Sequence, residues 1–403
     1  MSVNAELPSV KPRNTIMLVG GGTGGHITPN LAVAQQLKQL DPDCHLLYVL
    51  EKHSKFSHLL EESSELDQVF TVSAGKFRRY YGESWLIRLF DIKTNMLNIR
   101  DSFRVVKGLI EAWQLLRRVR PDVVFIKGSL AGLPIGLAAA GLHIPFVTHD
   151  SDSLPGLANR LLGRWATVHA TGMPVEFYNY PPAQTVYVGV PLTAQYQLVS
   201  EEQQRQYRKQ LEINPDSKIL LVAGGSNGAE KINQAVALIA QRLLDQYKDL
   251  SIVHQVGRGQ LKTYVSQPES DRLIVAEFFA PEDMIRYSGA ADLIVARAGA
   301  TTIAEFAAQA KACIIVPNPM LAGGHQLKNA EHLAEQGAIE IYPEVDLSRP
   351  EGLADRIADL LDHPKERQLL AQRLGALARP QAAKDIAQIL IRVAAGETVS
   401  AGA

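Results

Sequence analysis

The sequence predicts an α/β protein made of two Rossmann-like domains, each built on a parallel sheet and facing a common cleft. Three observations predict it. Short apolar runs alternate with helical spacing along nearly the whole chain, the pattern of βαβ units whose strands are covered on both faces. Each half opens alike: Ile16–Val19 runs into Gly20-Gly21-Gly22-Thr23-Gly24-Gly25, and half a chain later Ile219–Ala223 runs into Gly224-Gly225-Ser226-Asn227-Gly228. Finally, 403 residues are more than one ordinary core organises and suit two.

The elements follow in order. Thr15–Val19, Leu46–Leu50, Val123–Ile126 and Pro145–Thr148 read as buried strands of the first sheet. Ile219–Ala223, Ile252–Gln255, Leu293–Ala296 and Ala312–Val316 read as those of the second. Between Gly128 and His149 there is no charged side chain, but Gly132, Pro134, Gly136, Gly141 and Pro145 interrupt the stretch. A loop, a short buried helix and a strand are expected there rather than a membrane span. The boundary falls where the strand-like Thr185–Gly189 meets Pro191, giving domains of 14–190 and 191–379. A last helical segment, 380–396, is apolar at Ile386, Ile389, Leu390 and Val393, and its packing partner is left open by the pattern.

Composition excludes several classes. With 46% hydrophobic and 21% charged residues the chain is not mainly disordered, and a formal charge of -1 gives no reason to expect nucleic-acid binding. Two cysteines, Cys44 and Cys313, cannot form a disulfide framework or a Cys-rich zinc site; buried free thiols are expected. The opening MSVNAELPSV lacks the charged and apolar regions of a secretory signal, so a cytosolic chain with peripheral membrane contact is expected.

The glycine loops carry the chemistry. Gly20-x-Gly22-x-x-Gly25, with Glu51 ending the next apolar run, fits the dinucleotide fingerprint. The physics specifies less: backbone N–H groups and a helix N-terminus attract a phosphate or diphosphate of any nucleotide. A bare tight turn fits one such loop, and recurrence in both halves favours a ligand. Gly128-Ser129-Leu130-Ala131-Gly132 also follows a strand and reads either as a third ligand loop or as a plain helix start. His26, directly after the first loop, suits a general base or a hydrogen-bonding positioner.

These motifs occur in one order: GGTGGH at Gly21–His26, Pro29 with LAVA at Leu31–Ala34, PDVV at Pro121–Val124, His149, and Gly156-Leu157-x-Asn159. GGSNGA at Gly224–Ala229, Arg297-x-Gly299-Ala300-x-Thr302-x-x-Glu305, Pro317 and Gln326-x-x-Asn329-Ala330 follow. On them the chain resembles, from about Ile16 to Ala395, the MurG family of glycosyltransferases (glycosyltransferase family 28). The resemblance implies the two-domain GT-B fold and inverting transfer of N-acetylglucosamine from UDP-GlcNAc to the 4-hydroxyl of MurNAc in undecaprenyl-linked lipid I. It also implies a place at the cytoplasmic face of the cell membrane, in peptidoglycan and cell-wall synthesis, and hence in cell shape and division.

Residue by residue, the resemblance implies an acceptor side with its diphosphate at Thr23, Gly24, Gly25 and the loop from Gly128 to Gly132, joined by His149, Asp150, Asp152 and Asn159. His26 becomes the catalytic base. On the donor side, Gly225, Ser226 and Asn227 meet the diphosphate, the Phe279 backbone meets uracil, and Ala300, Thr301 and Thr302 cover the phosphates. Glu305 holds the ribose hydroxyls, and its place six residues after Gly299 fits a helix presenting one carboxylate to a diol. His325 and Gln326 read the GlcNAc hydroxyls. No cofactor is required. Asp150-Ser151-Asp152 beside His149 spells a DxD metal motif, but neighbours on an extended turn do not all point one way, so hydrogen bonding to the acceptor is expected instead. Asp152, Asn227, His325 and Thr193 depart from the family's amide, glutamine, glutamine and arginine, and bear on donor preference.

Between Lys76 and Arg120 eleven basic residues face four acidic ones, with Tyr80, Tyr81, Trp85 and Phe90 interleaved. That chemistry suits docking on an anionic bilayer, or else a solvated helix face over an ordinary core. Four other readings fit part of the pattern: transfer to another lipid such as diacylglycerol, a UDP-GlcNAc 2-epimerase, an NAD-dependent dehydrogenase, and a non-catalytic sugar-nucleotide binder. The epimerase has no need of the basic segment, and the dehydrogenase leaves Glu305 and the second loop unexplained.

Overall fold

The computed structural model describes residues 14–22, 24–54, 57–61, 63–75, 91–225, 227–261, 270–320 and 324–399. Thr23, Ser226 and the 76–90 part of the basic segment lie outside the described residues. The chain divides into two compact units, Met1–Thr193 with Pro380–Ala403, and Ala194–Arg379.

In the first unit β1 (Thr15–Val19), α1 (Gly24–Leu40), β2 (His45–Glu51), α2 (His58–Glu61) and β3 (Gln68–Val72) come first. They are followed by α3 (Ile92–Val119), β4 (Val123–Ile126), α4 (Gly132–Gly141), β5 (Phe146–Asp150), α5 (Leu157–Leu162), β6 (Val168–Thr171) and β7 (Thr185–Tyr187). All strand pairs are parallel, in the order β3-β2-β1-β4-β5-β6-β7. Period-two alternation sends Ile16, Leu18, Val123 and Phe125 to one face and Met17, Val19, Val124 and Ile126 to the other. The chain moves outward from β1 in one direction and from β4 in the other. The β1/β4 seam is therefore the switch point, outside whose carboxyl ends ligands bind in such sheets.

The second unit repeats the plan. Its elements are α6 (Glu201–Gln210), β8 (Lys218–Ala223), α7 (Glu230–Gln246), β9 (Leu250–Gln255), β10 (Leu273–Ala276), α8 (Pro281–Ala290) and β11 (Leu293–Ala296). Then come α9 (Ala300–Ala308), β12 (Cys313–Ile315), α10 (His325–Glu335), β13 (Glu340–Ile341), α11 (Glu351–Asp362) and α12 (Pro364–Ala376). The parallel order β10-β9-β8-β11-β12-β13 puts the switch point at β8/β11.

The last helix, α13 (Ala382–Ala394), returns to the first unit, where Ile386, Leu390 and Val393 are buried with Ala34 and Leu37 of α1. Each such side chain contributes about 1.5–3 kcal/mol by leaving water. Cys44 and Cys313 are free and buried. Strands β3, β6, β10 and β13 were not among those anticipated. β6 is masked in the sequence by a buried histidine: His169 accepts from Thr148 Oγ1 at 2.7 Å and bonds the Gly163 carbonyl at 3.1 Å, so a polar ring sits in the core. Only two residues long, β13 is too short to show a period, and β10 is half-buried throughout.

Candidate active site

In the first unit the loop after β1 turns on Gly22, whose φ of +83° favours glycine. A Cβ on Gly20 would lie 2.5 Å from Asn30 and 2.6 Å from the Tyr48 hydroxyl, so the loop presses against buried side chains. Glu51 ends β2 and accepts from the Gly22 amide at 2.8 Å. This carboxylate therefore braces the loop, in place of the ribose contact a dinucleotide reading would give it.

His26 lies in the first turn of α1. A hydrogen bond to the Lys127 backbone favours the charged ring and so ends on the carbonyl. Nδ1 is enclosed without a partner among the described residues. Burial, reinforced by the nearby Lys127 ammonium, lowers the ring's pKa to about 4. At neutral pH His26 is an uncharged acceptor.

His149 and Asp150 close β5. His149 is almost fully buried, its Nε2 bonds the Gly189 carbonyl at 2.9 Å, and burial drives its pKa well below the usual value. Asp150 accepts from the Gly156 amide at 2.9 Å, Asn159 Nδ2 at 3.0 Å and Tyr180 Oη at 2.8 Å. Burial still raises its pKa above the ordinary carboxylate value. Asn159 also donates to the His149 carbonyl at 3.0 Å. His149, Asp150 and Asn159 are thus one internal network that sets the 150–159 loop. A cation at Asp150 would have to displace three donors. Asp152 holds this loop through its carbonyl, which accepts from Tyr178 at 2.8 Å. Gly128 has φ +35°, and the Gly132 amide at the start of α4 is taken by Ser129 Oγ at 3.1 Å.

In the second unit the loop after β8 uses Gly225 (φ +84°) and Gly228 (φ +76°). A Cβ on Gly228 would lie 2.1 Å from the Val256 carbonyl and 3.2 Å from Gly257, so this turn tolerates only glycine. Asn227 is exposed on the loop. The sequence reading passed over Gly257-Arg258-Gly259, a second glycine turn against the first; the signal was its own glycine pair after an apolar run. Its Arg258 lies over the Phe278 ring at 4.6 Å.

Phe279 is buried and its amide donates to Gln255 Oε1 at 2.9 Å, so that N–H is already used. Ala300, Thr301 and Thr302 form the first turn of α9, which has neither a side-chain cap nor an acidic residue there, leaving N–H groups directed outward. Glu305 follows one turn later. Burial lifts its pKa to about 8, opposed by a hydrogen bond from Tyr196. His325 begins α10, and Gln326 accepts from the Asn318 amide at 2.9 Å. Arg297 donates to the Val316 carbonyl at 3.1 Å and pairs with Glu344, a structural tie between β11 and β12.

Two doubly wound parallel sheets, each with a glycine loop at its switch point, define the GT-B class of glycosyltransferase fold. Comparison with known proteins narrows the class. The glycosyltransferase family 28 N-terminal domain matches residues 16–171 and the family 28 C-terminal domain residues 219–388. The chain belongs to glycosyltransferase family 28. It is 32% identical to the UDP-N-acetylglucosamine–N-acetylmuramyl-(pentapeptide) pyrophosphoryl-undecaprenol N-acetylglucosamine transferase of Anaeromyxobacter dehalogenans, over 94% of this chain and 92% of that one. The crystal structure of Acinetobacter baumannii MurG aligns with a TM-score of 0.69 at 25% identity, covering 94% of this chain and all of that one. A UDP-GlcNAc 2-epimerase from Neisseria meningitidis aligns with a TM-score of 0.62 at 12% identity, over 94% of this chain and 100% of that chain, a likeness of fold alone.

Proposed function

We propose that the protein transfers GlcNAc from UDP-GlcNAc, with inversion, to the 4-hydroxyl of MurNAc in lipid I, forming lipid II for peptidoglycan. The observation that carries this reading is 32% identity over nearly the full length, 94% of this chain and 92% of the relative, to an enzyme named for that transfer. The first unit takes the acceptor and the second the donor. His26 removes the proton of the attacking hydroxyl, the hydroxyl oxygen bonds the anomeric carbon, and the bond to UDP breaks. The negative charge that grows on the leaving diphosphate meets the N–H groups of the loop at 224–228 and of the α9 N-terminus. Incubating the protein with labelled UDP-GlcNAc and a soluble lipid I analogue tests the reading. Disaccharide product is expected; transfer to diacylglycerol instead, or epimerised UDP-sugar with no transfer, would replace it.

The acceptor's polyprenyl tail supports work at a membrane surface, and the face proposed is the cytoplasmic one, the side of the nucleotide-sugar donor. Among the described residues no helix is long and apolar enough to cross a bilayer, so the association proposed is peripheral. α3 supports it. One face is fixed inward by Asp101, Ala112, Leu116 and Val119, and by Glu111, which accepts from Lys52 at 2.6 Å and the Ser73 amide at 2.7 Å. The other presents Met96, Ile99, Phe103 (73% exposed), Val106, Ile110 and Trp113 at spacings of three and four, beside Arg100 and Arg104. An outward apolar stripe flanked by cations matches an anionic interface. Replacing Phe103 and Ile110 together by serine is expected to weaken binding to anionic vesicles about tenfold. Unchanged sedimentation with vesicles would remove the stripe from membrane docking.

A further inference from the structure

Lys127 follows β4 directly and therefore stands at the carboxyl end of the β1/β4 switch point. Its side chain is 2% exposed. A lysine ordinarily carries its charge to water, and a buried ammonium is costly unless an anion meets it. Here Nζ donates to Ser151 Oγ at 2.5 Å, a neutral oxygen. Asp152 and, less strongly, Asp150 favour its charge against the cost of burial. Asp150, the acid beside it in sequence from Ser151, already accepts from Gly156, Asn159 and Tyr180.

The surrounding donors are committed as well. Glu51 takes the Gly22 amide, and Ser129 takes the Gly132 amide. Those two N–H groups are therefore not offered to an anion, whereas the ammonium has spent one donor on a hydroxyl and keeps its charge. Two acceptors stand near it. His149 Nε2 bonds a carbonyl and so carries the ring proton, which leaves His149 Nδ1 an enclosed lone pair without a partner, and His26 Nδ1 is likewise enclosed without one among the described residues. Lone pairs of this kind receive a hydroxyl proton and repel a phosphate oxygen. A buried cation that donates to a neutral hydroxyl, beside two unmatched imidazole nitrogens, suits a ligand that bears both an anionic group and hydroxyls.

We propose that Lys127 is the cationic anchor for the diphosphate of the sugar-diphosphate acceptor, an inference that rests on the acceptor-side reading of this unit given above. Lys127→Met keeps most of the unbranched side chain and removes its charge; Lys127→Arg keeps the charge. With a soluble lipid I analogue and saturating UDP-GlcNAc, Lys127→Met is expected to raise the acceptor KM about tenfold or more. kcat is expected to stay within a few-fold, the donor KM to hold, and Lys127→Arg to recover most of the loss. A fallen kcat at unchanged acceptor KM would overturn the proposal and place Lys127 with the reacting groups.

A second measurement avoids dependence on how the variant folds. In the wild-type enzyme, an acceptor analogue with a neutral linkage in place of the diphosphate is expected to lose a similar factor in KM. Equal KM values for the two analogues would also overturn the proposal. Titration with inorganic diphosphate separates the two layers. Binding by the wild type and not by Lys127→Met supports the anchor even if lipid I proves not to be the acceptor. Absence of any transfer to lipid I sinks the functional reading alone, and diphosphate binding undiminished in Lys127→Met sinks the anchor alone.

Discussion

Replacing His26 with alanine is expected to lower kcat by about 10²–10⁴-fold while leaving the KM for UDP-GlcNAc within a few-fold, the loss typical of a removed general base. The geometry explains why this ring suits the task. The ring bonds the Lys127 backbone, and its Nδ1 is enclosed without a partner among the described residues, a nitrogen left for a substrate hydroxyl. Burial and the Lys127 ammonium hold the pKa near 4, which keeps the ring uncharged at pH 7 but makes it a weak base in the unliganded protein. An acceptor diphosphate set against Lys127 opposes that repulsion and raises the basicity of His26 when the substrate arrives. The acid limb of kcat/KM, which reports the free enzyme, is then expected near pH 4, and that of kcat at higher pH. Near-wild-type turnover by His26→Ala would end the base assignment, and coincident limbs would end the coupling to acceptor charge.

The fold was legible because its signals are local. Runs such as Ile219–Ala223 are apolar throughout, as strands covered on both faces must be, and turns such as Gly225 and Gly228 need positive φ that other residues resist. The site was legible only in part, because charge and hydrogen bonding are settled between residues far apart in sequence. His149, Asp150 and Asn159 read as groups offered to a ligand, yet the folded chain spends most of their donors and acceptors on one another. Lys127 reads as an unremarked lysine at a loop start, since nothing in one sequence says that its ammonium is enclosed. The basic segment drew attention to its aromatics. In the described part, α3, the outward apolar face is mostly aliphatic, which the helical spacing from Met96 to Trp113 already contained.

Glu305→Ala is expected to raise the KM for UDP-GlcNAc about 10²-fold, the effect of losing two hydrogen bonds from a diol to a charged group. The carboxyl lies in the second turn of α9, below the uncapped first turn that would face the diphosphate, so one helix would serve both phosphate and ribose. Burial lifts its pKa to about 8, and Tyr196 supplies a hydroxyl hydrogen bond in the absence of a nucleotide. Two consequences follow with definite sign. A carboxyl whose folded pKa exceeds its unfolded value takes up a proton on folding, so Glu305 lowers stability as pH rises from about 4.5 towards 8. A ribose diol that donates to this group favours the carboxylate, so UDP binding releases a proton and tightens as pH rises across the same range. Tyr196→Phe removes the competing hydroxyl and is expected to strengthen UDP binding a few-fold, with greater proton release. Calorimetric titration of UDP between pH 6 and 8.5, in buffers of different ionisation enthalpy, reads the two binding effects, and denaturant unfolding over the same pH range reads the stability effect. A flat affinity in the wild type, or equal affinity in Glu305→Ala, would leave Glu305 as a tie between the segment carrying Tyr196 and α9, with no part in holding the donor.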